Sequence, residues 1–233
     1  MKSERIFPGL KTFHGFNEAT VRYYEAIRKD NSRNTHKENE CLYLTGVKEP
    51  LDALYDELYR YFDRMDSDLL SGRRQCISSA YNDARFCRSA PMKEYFYLRF
   101  RLNKGDGRNM PGFFFDASLD GCKYGLNIYH PDAAGMERIR SHILDNKWSA
   151  TEVIEEFNEA GLLEVRGEKY KRPHYPEADE ALRDWLERKR ISFIHEECLN
   201  GLFFERGILE CIEKAFDSAE RVYFLLKEAS SLK

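Results

Sequence analysis

The sequence predicts one α+β domain spanning residues 1–233, with a central antiparallel sheet and helices packed mainly on one face. Three observations carry that expectation. Apolar residues recur at helical spacing towards both ends of the chain. In the middle they alternate with polar ones, which is the period of a strand. No repeat, low-complexity tract or linker interrupts the 233 residues. The expected layout is N-terminal helices over about 15–66, a sheet over about 75–130, and C-terminal helices with a short hairpin and strand over about 132–230.

Each element has its own justification. Asn17 suits an N-cap for a helix over 17–30, with Val21, Tyr24 and Ile27 on one face. Residues 31–43 are polar and read as a loop or short helix. Pro50 fits a first helical turn, and Leu51, Leu54, Leu58, Tyr61, Phe62 and Met65 then mark a helix over 50–66. Gln75 to Tyr81 is a candidate strand. From Glu94 to Leu102 the alternation is clean. Phe96, Leu98, Phe100 and Leu102 point one way, and Tyr95, Tyr97, Arg99 and Arg101 point the other. A glycine-rich turn at 103–108 precedes strands over 112–118 and 122–129, joined by the Asp120-Gly121 turn. Helices are predicted over 132–146 and 149–160. The second opens with the capping-box pattern Ser149-x-x-Glu152 and stops at Gly161. A hairpin around Gly167, a helix over 176–189, a strand over 190–195 and one long helix over 207–227 complete the prediction.

Composition narrows the functional classes. A hydrophobic fraction of 42% and an aromatic fraction of 14% belong to a packed globule. No apolar run approaches the roughly 20 residues of a membrane helix, and the first residues lack a signal-peptide core. The six cysteines form no Cys-x-x-Cys pair, so neither a zinc finger nor a thioredoxin-type site is suggested. A reducing cytoplasm is the simplest setting. No cofactor and no metal are expected, and no membrane partner. The run His195-Glu196-Glu197-Cys198 lacks the spacing of a helical metal motif.

The net charge of −3 hides a local reversal. Residues 73–108 carry nine Lys or Arg against three Asp or Glu, which leaves −9 for the remainder. Such an excess focuses an anionic ligand even on an acidic protein. Arg85, Arg88 and Lys93 flank one turn there, with Asp83 placed to orient Arg85; Arg99 lies on the following strand. Arginine offers planar two-pronged donation to phosphate or carboxylate, and lysine a point charge. The bland alternative is a structural ion-pair network. Tyr129 and His130 end a strand and would form a neighbouring wall.

The chain resembles an uncharacterised bacterial and fungal family, domain of unknown function 2461. The resemblance rests on Asn31-Ser32-Arg33, on Asp83-Ala84-Arg85-Phe86-Cys87-Arg88 with Pro91-Met92-Lys93, on Tyr129-His130-Pro131, on Lys171-Arg172-Pro173 and on the segment Trp185 to Phe193. The family pattern has Arg, Tyr, Trp-Phe and Gly where this chain has Asn82, Met92, Thr35-His36 and Asn127. The resemblance implies a fold more than an activity.

The leading expectation is therefore a cytoplasmic protein that binds a small anionic ligand, phosphorylated ones included, at Asp83, Arg85, Arg88, Lys93, Arg99, Tyr129 and His130. Three alternatives stay open. An enzyme would use His130 or Asp83 in proton transfer. A protein-interaction module would show an exposed apolar patch. A single-strand nucleic-acid binder would use the Tyr95, Tyr97, Arg99 and Arg101 face, although the overall charge speaks against it. That last reading turns on whether the face is open or covered by the N-terminal helices.

Overall fold

The computed structural model describes residues 9–85, 87, 89–102 and 107–231. Its N-terminal layer contains α1 (Glu18–Lys29), α2 (Arg33–Glu38), α3 (Glu40–Tyr43), a π-helical turn (Leu44–Lys48) and α4 (Glu49–Met65). A short 3₁₀ turn (Ser67–Leu69) and the four-residue α5 (Arg73–Cys76) lead to the sheet. Strands β1 (Tyr95–Arg101), β2 (Pro111–Ser118) and β3 (Gly121–Ile128) form a meander. Next come α6 (Ala133–Asp145), α7 (Lys147–Ala160), β4 (Glu164–Arg166), α8 (Glu180–Leu186) and β5 (Ser192–Glu197). A 3₁₀ turn (Gly201–Phe204), α9 (Gly207–Ser218) and α10 (Glu220–Ser231) close the fold. The described strands make one antiparallel sheet in the order β1-β2-β3-β5-β4.

The predicted α+β class is the observed one, and its core shows why. The alternation in β1 sends Phe96, Leu98 and Phe100 to the helical side, where they are buried. Phe100 meets Tyr55 and Phe62 of α4 at ring separations of 5.7 and 4.5 Å. Phe113 of β2 packs between Phe216 of α9 and Tyr223 of α10, at 4.8 and 5.3 Å. Phe193 of β5 receives Phe157 of α7 and Trp185 of α8, at 5.2 and 4.8 Å. Helices from both ends of the chain thus stack on one sheet face. The other face carries Tyr95, Tyr97, Arg99, Arg101, Asp116 and Lys123.

Local chemistry sets the boundaries. The Asn17 side chain accepts from the Ala19 N–H and caps α1. Asp132 accepts from the Gly135 N–H at 2.6 Å and caps α6. Gly161, at φ +61°, ends α7 in the left-handed conformation.

Five local expectations need correction. Residues 75–81 do not form a strand. The α5 turn and two isolated bridges, Ile77 to Leu98 and Tyr81 to Met92, occupy that stretch, because Arg73 turns back to the fully buried Asp56 of α4. Helix α7 begins at Lys147, ahead of the predicted box, and the Ser149 hydroxyl donates to the Asn146 carbonyl instead. No hairpin forms around Gly167, since β4 pairs with β5. The helix predicted over 176–189 contracts to α8. The predicted final helix is two, broken at Ala219, and the break lets Phe216 and Tyr223 converge on Phe113.

Candidate functional site

The sheet face away from the helices holds a cavity of about 260 Å³. Its floor is β1, with Tyr97, Arg99 and Arg101. Its walls are Tyr129, just past β3, and Ser71, Gln75 and Cys76 around α5. A hydrogen bond from the Ser78 N–H to the Tyr97 carbonyl, 3.0 Å long, seats the segment after α5 along the free edge of β1.

Inside the cavity, cations and rings interleave. The Arg99 guanidinium lies 3.9 Å from the Tyr97 ring centre and 5.5 Å from that of Tyr129. Arg101 stands 3.8 Å from the Tyr129 ring. Gly112 makes this possible. It pairs with Arg101 across β1 and β2, and a Cβ there would sit 2.8 Å from the Arg101 Cγ and 2.6 Å from the Phe100 carbonyl oxygen. Arg101 can therefore lie across β2 towards Tyr129.

The electrostatics are asymmetric. Asp116 of β2 faces Arg99 at 3.6 Å, too long for a strong hydrogen bond. Its other oxygen, Oδ1, is buried and has no hydrogen-bond partner. Burial pushes the Asp116 carboxyl above the usual range, against the opposing pull of Arg99. Arg101 is half-buried and makes no ion pair or hydrogen bond among the described residues, so its five donors are uncommitted. Burial, then the nearby Arg99, lowers its pKa, although it stays charged. The Cys76 thiol donates to the Ser71 carbonyl, and burial pushes it up to about 12, which makes it a poor nucleophile.

The basic turn is arranged differently. Asp83 accepts from both the side chain and the backbone N–H of Arg85, and these bonds hold its carboxyl down at about 2. Lys93 donates to the Ser79 carbonyl at 3.1 Å and to the Tyr81 carbonyl, so its ammonium closes the loop on itself. Burial lowers its pKa. Asn31 clamps the loop from below, accepting from the Met92 N–H at 2.8 Å and donating to the Met92 carbonyl at 3.1 Å. Arg88 lies outside the described residues. His130 is exposed beside Tyr129, with ring centres 4.2 Å apart. Of the residues singled out from the sequence, Arg99, Tyr129 and His130 share a neighbourhood. Asp83, Arg85 and Lys93 belong to the loop.

Sequence reasoning named Tyr97 and Arg101 as strand-face residues and missed Gln75, Ser71 and Asp116. The glycine at 112, inside a strand, was a readable sign of close approach. The register that sets Asp116 opposite Tyr97, within reach of Arg99, was not readable, because no two-residue hairpin turn in the sequence between β1 and β2 fixes it.

A helix-backed antiparallel sheet with a basic, aromatic cavity on its open face defines a single-domain α+β protein. No helix among the described residues is long and apolar enough to cross a membrane. The chain belongs to the DUF2461 family of conserved hypothetical proteins, whose family model matches residues 19–224. No curated protein matches it.

Proposed function

We propose that this protein binds a small ligand through a carboxylate or phosphate group, held by Arg101 and Arg99 in the cavity on the open sheet face. One observation carries the reading. Arg101 is half-buried between aromatic surface and a second arginine, yet no carboxylate of the described residues pairs with it. Removing a guanidinium from water without a counter-charge is costly, and an incoming anion offsets that cost. With the guanidinium held against the Tyr129 ring, its N–H groups stay available for two-pronged donation. The Gln75 amide and the Tyr97 and Tyr129 hydroxyls supply further polar contacts at the rim. The cavity's volume suits a ligand smaller than a dinucleotide.

A thermal-shift series at fixed low salt tests this, with phosphate, sugar phosphates, mononucleotides and small carboxylic acids as the probes. A bound probe at about 100 times its dissociation constant stabilises the fold by roughly 2.7 kcal/mol. The shift is expected to fall by about half or more in Arg101→Ala and to persist in full in Arg85→Ala. A shift undiminished in Arg101→Ala refutes the assignment.

A second reading keeps the same face and enlarges the ligand. Tyr95 and Tyr129 are each 43% exposed, and Tyr95 stacks near Tyr97 at 6.3 Å. The row of rings and guanidiniums therefore continues beyond the cavity, as a single-stranded nucleic acid would require. That reading demands oligonucleotide affinity that falls steeply with salt and with Tyr95→Ala.

A further inference from the structure

Far from the sheet cavity, Trp148 in the first turn of α7 is 89% exposed. The other tryptophan, Trp185, is 2% exposed and sits in the core. Among the described residues the Trp148 indole makes no ring stack, cation–π contact or hydrogen bond. Helical spacing explains its direction. Ala150, Val153, Ile154 and Phe157 form the buried side of α7, while Trp148, Glu152 and Glu155, four and seven residues on, share the opposite side.

That side forms one wall of a cavity of about 650 Å³, which the loop before α8 closes with Asp179. A second hollow of about 270 Å³ continues it past Lys147 to Tyr175, Pro176 and Glu177. Trp148, Thr151 and the carboxylates Glu152, Glu155 and Asp179 line the first hollow, and Leu144, Tyr175, Pro176 and Ala178 give the second its apolar surface. Glu152 is held by Arg221 at 3.3 Å, but Glu155, Glu177 and Asp179 make no ion pair among the described residues. Lys147 lines both hollows, and His174 the second.

We infer that this groove docks a lysine- or arginine-bearing segment of a partner protein, with a basic side chain laid over the Trp148 indole and its charge between Glu155 and Asp179. Charge complementarity selects the occupant. A bare indole face attracts a cation through its quadrupole, and the unpaired carboxylates that line the same cavity attract a cationic segment and repel an acidic one. The protein already uses this chemistry internally, since Arg101 lies over Tyr129 and Arg73 over Tyr55. An elongated groove suits a chain segment better than a compact metabolite.

The test uses a defined probe, the peptide acetyl-Gly-Arg-Lys-Arg-Lys-Gly-amide, and its counterpart with glutamate at the basic positions. Calorimetry measures affinity, and tryptophan emission reports the site, because Trp185 is buried. The basic peptide is expected to bind saturably and to change the emission, while the acidic one does neither. Trp148→Ala and the pair Glu155→Gln with Asp179→Asn are each expected to weaken binding at least tenfold. The charge-matched pair Glu25→Gln with Glu210→Gln, both on exposed helix surface elsewhere, should change it less than twofold. The absence of saturable binding overturns the inference. So does an equal loss in the charge-matched pair, which marks unspecific attraction, or an emission change that follows self-association in sedimentation, which assigns the groove to a second copy of the chain.

Discussion

Arg101 matters because, half-buried, it has no carboxylate partner among the described residues. Most other arginines near the sheet have a carboxylate: Arg99 has Asp116, Arg28 has Asp120 and Arg166 has Glu164. Replacing Arg101 with alanine is expected to weaken binding of the best anionic probe about 10- to 100-fold, the range of a hydrogen bond to a charged group. Arg101→Lys should recover little, because lysine loses both the planar fork and the stack on Tyr129. Asp66 shows the opposite design. Burial alone would raise its carboxyl, but Lys227, the Tyr223 hydroxyl at 2.6 Å and the Asp68 N–H outweigh burial and hold it below the usual range. A carboxyl with a depressed folded pKa contributes stability that is complete above its unfolded value, about 3.9. The contribution is lost as pH falls through the folded value. The melting temperature is therefore expected to drop between about pH 5 and pH 3, and Asp66→Asn should flatten that slope; a slope unchanged in the variant contradicts the assignment.

At the scale of elements, two features govern the site. Gly112 lets Arg101 cross β2, so Gly112→Ala is expected to weaken anion binding and to cost roughly 1–3 kcal/mol through the close contact with the Phe100 carbonyl. Denaturation and calorimetry on one sample separate the two effects. Asn31 joins α1 to the loop ahead of β1 by satisfying both backbone groups of Met92. Asn31→Ala is expected to cost roughly 2–3 kcal/mol and to speed hydrogen exchange at the Met92 amide. These elements also show what a sequence discloses. The faces of β1 were legible, because alternation is a one-strand property. So were the Asn17 cap and the Gly161 stop, each made by neighbours in the chain. The α5 turn was not, because its cause is the Arg73 pairing with Asp56, contributed by α4. The break at Ala219 was not either, since a continuous apolar stripe runs through α9 and α10 and only packing against Phe113 divides it.

For the whole molecule, the question left by the sequence was whether the Tyr95, Tyr97, Arg99 and Arg101 face lies under the N-terminal helices. Those helices pack on the opposite face, through Phe96 and Phe100, so the face borders a cavity instead. The local charge reversal was legible as a number and not as a place. Among the described residues it divides between a loop, where Arg85 pairs with Asp83 and Lys93 donates to carbonyls, and a strand whose arginines are less fully answered. The central claim is that the anion goes to the strand and not to the loop. Nitrogen-resolved NMR of the arginine side chains tests it directly, with phosphate and the best thermal-shift probe titrated into the intact protein at low salt. The account predicts saturable movement of the Arg101 signal, with Arg99 following and Arg85 nearly still. Saturable movement at Arg85 with Arg101 unmoved would contradict it and return the site to the basic turn.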